Sequence, residues 1–154
     1  YNNQRSKSNT SEEQFFGIIM HEVLEKINTD FHDAYIHIDN LRETSIINDK
    51  EEVKLRKSLE VLEDSKELKK IFSDEYKVYN EKEILIKSGK IFRIDRLLVN
   101  GNKAIVVDFK TGHSKNSYFD QLNEYVILLK EMGFIIDDAM IIYLPDLKIE
   151  YLVS

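Results

Sequence analysis

Along residues 11–27 the apolar side chains Phe16, Ile19, Met20, Val23 and Ile27 recur at the three-and-four spacing of one helical face. Ser11 and Gln14 form a capping-box pattern that starts this helix. Residues 1–10 are polar and read as a frayed arm or linker. Phe31, Tyr35, Ile36 and Ile38 predict a short helical stretch, and Val53, Leu55, Leu59, Leu62, Leu68, Ile71 and Phe72 predict helices over 51–73. The Glu/Lys-rich remainder of that segment reads as a solvated face. Near residue 76 the period falls toward two. Residues 76–89 alternate imperfectly and carry β-branched and aromatic side chains, which predicts one strand with an interruption allowed. Ser88-Gly89 turns it into a second run, Ile91–Val99, and Asn100-Gly101-Asn102 turns that into a third, Lys103–Lys110. Tyr118, Leu122, Tyr125, Val126 and Leu129 mark a helix from about Tyr118 to Met132, with Gly133 as its C-cap. Ala139–Leu144 and Lys148–Val153 read as two strands around a Pro145-Asp146 turn. Helices, three strands, a helix and two strands predict an α/β fold. Its mixed sheet is an antiparallel meander followed by a helical crossover to a fourth strand.

Composition narrows this picture. A chain of 154 residues, 42% hydrophobic and 32% charged, fits one globular domain with its own core. No apolar run reaches the length of a membrane span, and the N-terminus lacks the apolar core of a signal peptide. The chain starts at Tyr1 and not Met, which points to a piece of a longer protein. The absence of cysteine removes disulfides, thiolate zinc sites and thiolate-held iron–sulphur clusters, and makes a reducing cytoplasm the expected compartment. A net charge of −6 argues against a broad basic surface for nucleic acid.

The chemistry concentrates in the hairpin at 89–112. Asp95 follows Ile94, and Asp108 sits between Val106-Val107 and Phe109, so both acids interrupt apolar runs. Asp108 and Lys110 are two residues apart on a strand, on one face and roughly 7 Å apart along it. Buried carboxylates need a partner or a task. The simplest partners are ion pairs with Arg93, Arg96 or Lys110. The more specific task is holding Mg²⁺ or Mn²⁺ through carboxylate oxygens and the backbone carbonyl of Phe109. His21 lies about 120° from the centre of its helix's apolar stripe, on the flank. There it is either a boundary residue or an imidazole ligand that tilts the site toward Mn²⁺. Such an ion would polarise a phosphate oxygen and acidify a water, with Lys110 orienting that water or stabilising transition-state charge.

Taken in order, Gly17-x-x-x-His21-x-x-Leu24-Glu25, Asn80-Glu81, Arg93-Ile94-Asp95-Arg96, Asp108-Phe109-Lys110-Thr111-Gly112 and Gln121-x-x-x-Tyr125 resemble the PD-(D/E)xK nuclease superfamily. They are most similar to its RecB-like branch, which includes the C-terminal nuclease domain of AddA-type helicase–nucleases. The resemblance runs from about Phe16 to Leu152. It implies a restriction-endonuclease-like mixed sheet of about five strands flanked by helices. It also implies a metal-dependent deoxyribonuclease that processes DNA ends in recombination and repair, with single-stranded DNA threaded from a helicase domain of the same polypeptide and an AddB-type subunit as a further partner. By position, His21, Asp95, Asp108 and the Phe109 carbonyl match the metal ligands and Lys110 the catalytic lysine. Gln121 and Tyr125 match the motif beside the active site, although core packing equally accounts for Tyr125. Glu81 matches a supporting glutamate, with Glu83 as a competitor. The iron–sulphur members of the branch are excluded because the chain has no cysteine. Arg93, Arg96 and Lys115, together with Lys90 and His113, are the local candidates for phosphate contact. Alternatives are a stand-alone exonuclease, or a catalytically silent nucleic-acid-binding or scaffold module on the same fold.

Overall fold

Six consecutive buried residues, Ala104 to Phe109, run along one strand, which marks it as a central strand covered on both faces. The computed structural model describes residues 2–152, with side chains from residue 10 onward. Among these, three α-helices lead the chain: α1 (Asn2–Leu24), α2 (His32–Glu43) and α3 (Asp49–Asp64), followed by a 3₁₀ turn (Lys69–Phe72). Then come β1 (Lys77–Leu85), β2 (Ile91–Asn100), β3 (Lys103–Thr111), α4 (Asn116–Glu131), β4 (Ile135–Leu144) and β5 (Lys148–Tyr151). The sheet order is β1-β2-β3-β4-β5, antiparallel except for the parallel β3–β4 pair that α4 connects. This is the expected α/β fold, a mixed five-stranded sheet flanked by helices. No helix among the described residues is long and apolar enough to cross a membrane.

The two faces of the sheet carry separate cores. Leu98, Ile105, Val107, Phe109, Met140 and Ile142 pack against α1, α2 and α3. Leu97, Ala104, Val106, Ala139 and Ile141 pack against Leu122, Tyr125, Val126 and Leu129 of α4. Asp108 and Lys110 share the even parity of Ala104 and Val106, so β3 turns them toward the α4 side.

Several boundaries differ from the sequence reading. α1 begins at Asn2, ahead of the Ser11 pattern, and Ser11 lies inside it. No glycine or proline interrupts residues 2–16, so a helix packed further along propagates back through them. The capping box that does form is at Asn48 and Glu51, where Glu51 N–H donates to Asn48 Oδ1 at 2.9 Å and Asn48 N–H donates to Glu51 Oε2 at 2.8 Å. β4 starts at Ile135, four residues earlier than expected. The Gly133 cap is present at φ +95°, with Gly133 N–H donating to Lys130 O and Phe134 N–H to Leu129 O, the Schellman pattern. Gly101, at φ +60°, opens the two-residue hairpin loop between β2 and β3.

Gly17 sets how closely α1 approaches β3. A Cβ there would lie 3.0 Å from Thr111 Oγ1. Gly17→Val is therefore expected to destabilise the fold by about 2 kcal/mol, since overpacking outweighs the gain in helix propensity of under about 1 kcal/mol. Urea unfolding of the two proteins measures this, and an unchanged midpoint would show that α1 can slide without loss.

Candidate metal centre

The β1–β2 ladder is irregular at one rung, and that rung carries two of the acids. Leu97 and Ile94 pack on the same α4-side core although they are three residues apart, an odd separation that a regular strand places on opposite faces. Tyr79 and Ile84 of β1 do the same across five residues. Pairing is in one register on both sides of the slip, Asn80 with Arg96 and Lys82 with Ile94. Between those pairs, Glu81 and Asp95 drop out of the ladder, and Glu81 takes φ +52°. A non-glycine residue held there stores on the order of 1–2 kcal/mol of strain, a feature that clusters at functional sites. The β2–β3 ladder also ends here, at Arg96–Val107. Beyond it Phe109 N–H donates to Asp95 Oδ2 at 2.8 Å, so a side chain replaces the missing main-chain acceptor.

Five elements converge on this opening. His21 comes from the C-terminal part of α1, Glu81 from β1, Asp95 from β2, Asp108 and Lys110 from β3, and Gln121 and Tyr125 from α4. All of them line one cleft of about 1010 Å³. His21 Nδ1 is 3.5 Å from Asp95 Oδ2 and 4.0 Å from Glu81 Oε1. One ligand atom from each of His21, Glu81 and Asp95 fits within a mutual 4.8 Å. Asp108 stands outside that compact set but faces the same cleft, and its charge acts on both His21 and Asp95. Its Oδ2 is 2.8 Å from Lys110 Nζ, an ion-pair distance, and no hydrogen bond satisfies this atom. Lys110 Nζ also donates to Gln121 Oε1 at 3.2 Å. The Tyr125 hydroxyl donates to the Arg93 carbonyl at 2.7 Å, and its ring is buried in the α4-side core, so packing and site position are both served.

The electrostatics follow from burial. Desolvation raises the Asp95 carboxyl well above the usual range, and Asp108 and Glu81 raise it further, against the Phe109 N–H and Lys110. Desolvation also raises Glu81, which Arg93 opposes. His21 is lowered, first by burial, with Lys110 and Arg93 adding to this and Asp108 and a hydrogen bond with the Phe109 main chain opposing it. A neutral imidazole beside acids that are costly to ionise alone is a donor set suited to a divalent cation. The orphaned Asp108 oxygen, 3% exposed at the side chain, fits the same group.

The other candidates divide. Arg93 lines the cleft and pairs with Glu81. Glu83 is exposed and not part of the cleft wall, so Glu81 is the acid that belongs to the site. Lys115 is exposed at the N-cap of α4, outside the cleft lining, with Nζ 5.7 Å from the Tyr118 ring centre. Arg96 corrects an expectation. It is 1% exposed, and its guanidinium donates to the carbonyls of Ile27, Asn28 and Ile71 and to Asn80 Oδ1, so it cannot reach a phosphate. Parity decides this, because the slip at Asp95 turns its neighbour toward the end of α1. Lys90, a phosphate-contact candidate, lines the cleft, whereas the sequence reading missed other wall residues, including Gln14, Glu22, Phe92 and Tyr118. An aromatic-and-basic run at Lys90–Arg93 was the available signal for the hairpin side. A scan of protein-family models and a search of curated proteins find no match to this chain.

Proposed function

We propose that the chain is a metal-dependent DNA nuclease of the PD-(D/E)xK kind that hydrolyses phosphodiester bonds. The observation that carries this reading is the convergence of His21, Glu81, Asp95 and the orphaned Asp108 oxygen on one cleft, with the Lys110 ammonium 2.8 Å from Asp108. His21, Asp95 and Asp108 would hold Mg²⁺ or Mn²⁺, with the Phe109 carbonyl beside them. The compactness of the His21–Glu81–Asp95 set adds Glu81 to that group more firmly than its sequence did. A divalent ion supplies charge neutralisation of the phosphate and an acidified water. Lys110 holds a proton-donating ammonium where charge develops, and Gln121 orients it through its Oε1. Tyr125 ties α4 to β2 behind the site.

The cleft wall carries Glu22, Glu25 and Glu124 in addition to the site acids, against Lys90, Arg93 and Lys110. A strand entering it needs positive charge from elsewhere, and a neighbouring helicase domain of the same polypeptide is the proposed source. The test is Mn²⁺-dependent cleavage of end-labelled single-stranded DNA by wild type and Asp108→Ala. Wild type is expected to cleave and the variant to lose about 10³-fold or more in rate. Equal cleavage by both, or none by wild type in any divalent metal, overturns the reading.

A further inference from the structure

Arg93 makes its ion pair with an acid of the cation site itself. Its Nε pairs with Glu81 Oε2, while the other oxygen, Oε1, lies 4.0 Å from His21 Nδ1. Glu81 thus turns one oxygen to the ligand set and the other to a guanidinium. The two partners differ in freedom. The Glu81 side chain is 16% exposed and its backbone is held at φ +52°, whereas the Arg93 side chain is 60% exposed. The Arg93 backbone is fixed by the Tyr125 hydroxyl, so only its long side chain can move. The other cations on the wall are engaged elsewhere, Lys110 with Asp108 and Gln121, and Lys90 with Glu124. Glu22, Glu25 and Glu124 make the surrounding cleft acidic.

A divalent ion and the guanidinium compete for the same carboxylate. The ion brings two charges into a half-buried site, and its repulsion falls on the partner that can leave. We propose that Arg93 is the resident counter-ion of the centre. It neutralises Glu81 while no divalent ion is bound, is released from Glu81 when one binds, and then takes a phosphate oxygen of the incoming strand. Metal loading and strand capture are thereby coupled through one side chain. A guanidinium suits the second task because its planar fork matches phosphate oxygens. The inference rests on the metal-centre reading above.

The experiment compares wild type, Arg93→Gln and Lys115→Gln, each shown folded by circular dichroism. Calorimetric titration with Mn²⁺ alone reads the first half. Arg93→Gln is expected to bind Mn²⁺ about fivefold more tightly than wild type, and Lys115→Gln to match wild type. Affinity for a fluorescent phosphorothioate oligonucleotide, measured with and without Mn²⁺, reads the second half. Mn²⁺ should tighten wild-type binding, and Arg93→Gln should lose about tenfold of affinity in Mn²⁺. Equal or weaker Mn²⁺ binding by Arg93→Gln overturns the counter-ion role while leaving the metal centre standing. Unchanged oligonucleotide affinity overturns the coupling. Folded wild type that binds no Mn²⁺ removes the metal centre and this inference together.

Discussion

Asp95→Asn is expected to make the metal-free protein more stable and to remove the proposed nuclease activity. The two effects have one cause. Asp95 is 14% exposed at the side chain, faces Asp108 and Glu81, and has its carboxyl pushed up by burial and by those like charges. The folded protein therefore retains a proton that the unfolded chain has already released. As pH rises from the ordinary value of 3.8 toward the raised folded value, the folded state binds more protons than the unfolded state, and stability falls across that window. Asparagine has nothing to ionise, and its Oδ1 can still accept from Phe109 N–H. The variant should gain on the order of 2 kcal/mol at neutral pH, or about 5 °C in Tm, and less near pH 5. Mn²⁺ should raise the Tm of wild type, because it binds only the folded state, and should raise that of Asp95→Asn much less. Cleavage should fall by about 10³-fold or more. Thermal melts between about pH 5 and 8, with and without Mn²⁺, check this. A variant less stable than wild type throughout, with the same response to Mn²⁺, would make Asp95 a structural acid.

Arg96→Ala is expected to cost about 3–5 kcal/mol, a large fraction of the roughly 5–15 kcal/mol that holds an ordinary domain folded. Arg96 is a buried cation with no acidic partner among its hydrogen bonds, and burial pulls its pKa down to about 10. Its stability comes from acceptors. The Ile27 carbonyl lies 2.6 Å from Nη1, the Asn28 carbonyl 2.5 Å from Nη2, and the Ile71 carbonyl 3.1 Å from Nε. Asn80 Nδ2 donates to the Glu25 and Ile27 carbonyls, so the two side chains together satisfy the chain leaving α1. Alanine would take the donor from the Asn28 carbonyl and from the buried Ile71 carbonyl, leave Ile27 to Asn80 alone, and open a cavity beside the Phe72 ring, 4.7 Å from the guanidinium carbon. Arg96→Lys should recover little, because one ammonium cannot span acceptors on the α1 exit, the 3₁₀ turn and β1. Denaturant unfolding measures both. A loss below about 1 kcal/mol for the alanine variant would mean that water replaces the guanidinium. The clamp also matters for the site, since it fixes the end of the helix that carries His21.

Much of the site was legible because its residues break local rules. Asp95 and Asp108 interrupt apolar runs, and Asp108 and Lys110 keep the two-residue spacing of one strand face, so the hairpin announces its chemistry in one dimension. His21 was placed correctly on a helix flank by the 3.6-residue period alone. The element order and the crossover helix were equally readable, because strand and helix periods differ strongly over 77–151. Helix α1's start was not, since Ser11 offers a cap that the longer helix overrides, while the cap at Asn48 went unread. Glu81 and Arg96 were hardest. Nothing in Asn80-Glu81 announces a positive φ, and an arginine after an acid on a hairpin strand looks like a solvent-facing charge.

By itself the sequence determined that two acids and a lysine share a hairpin, that a histidine rides an amphipathic helix, and that the strands form a mixed sheet. The first two follow from local periodicity, and the third from the order of the elements and the crossover helix. The tertiary structure alone decided which charges meet. The slip at Glu81 and Asp95 reverses the facing of two paired strands at once, and its effect depends on the register between them, which no single strand encodes. That slip brings Glu81 to His21, sends Arg96 into the interior to hold α1, and leaves Arg93 on the cleft wall.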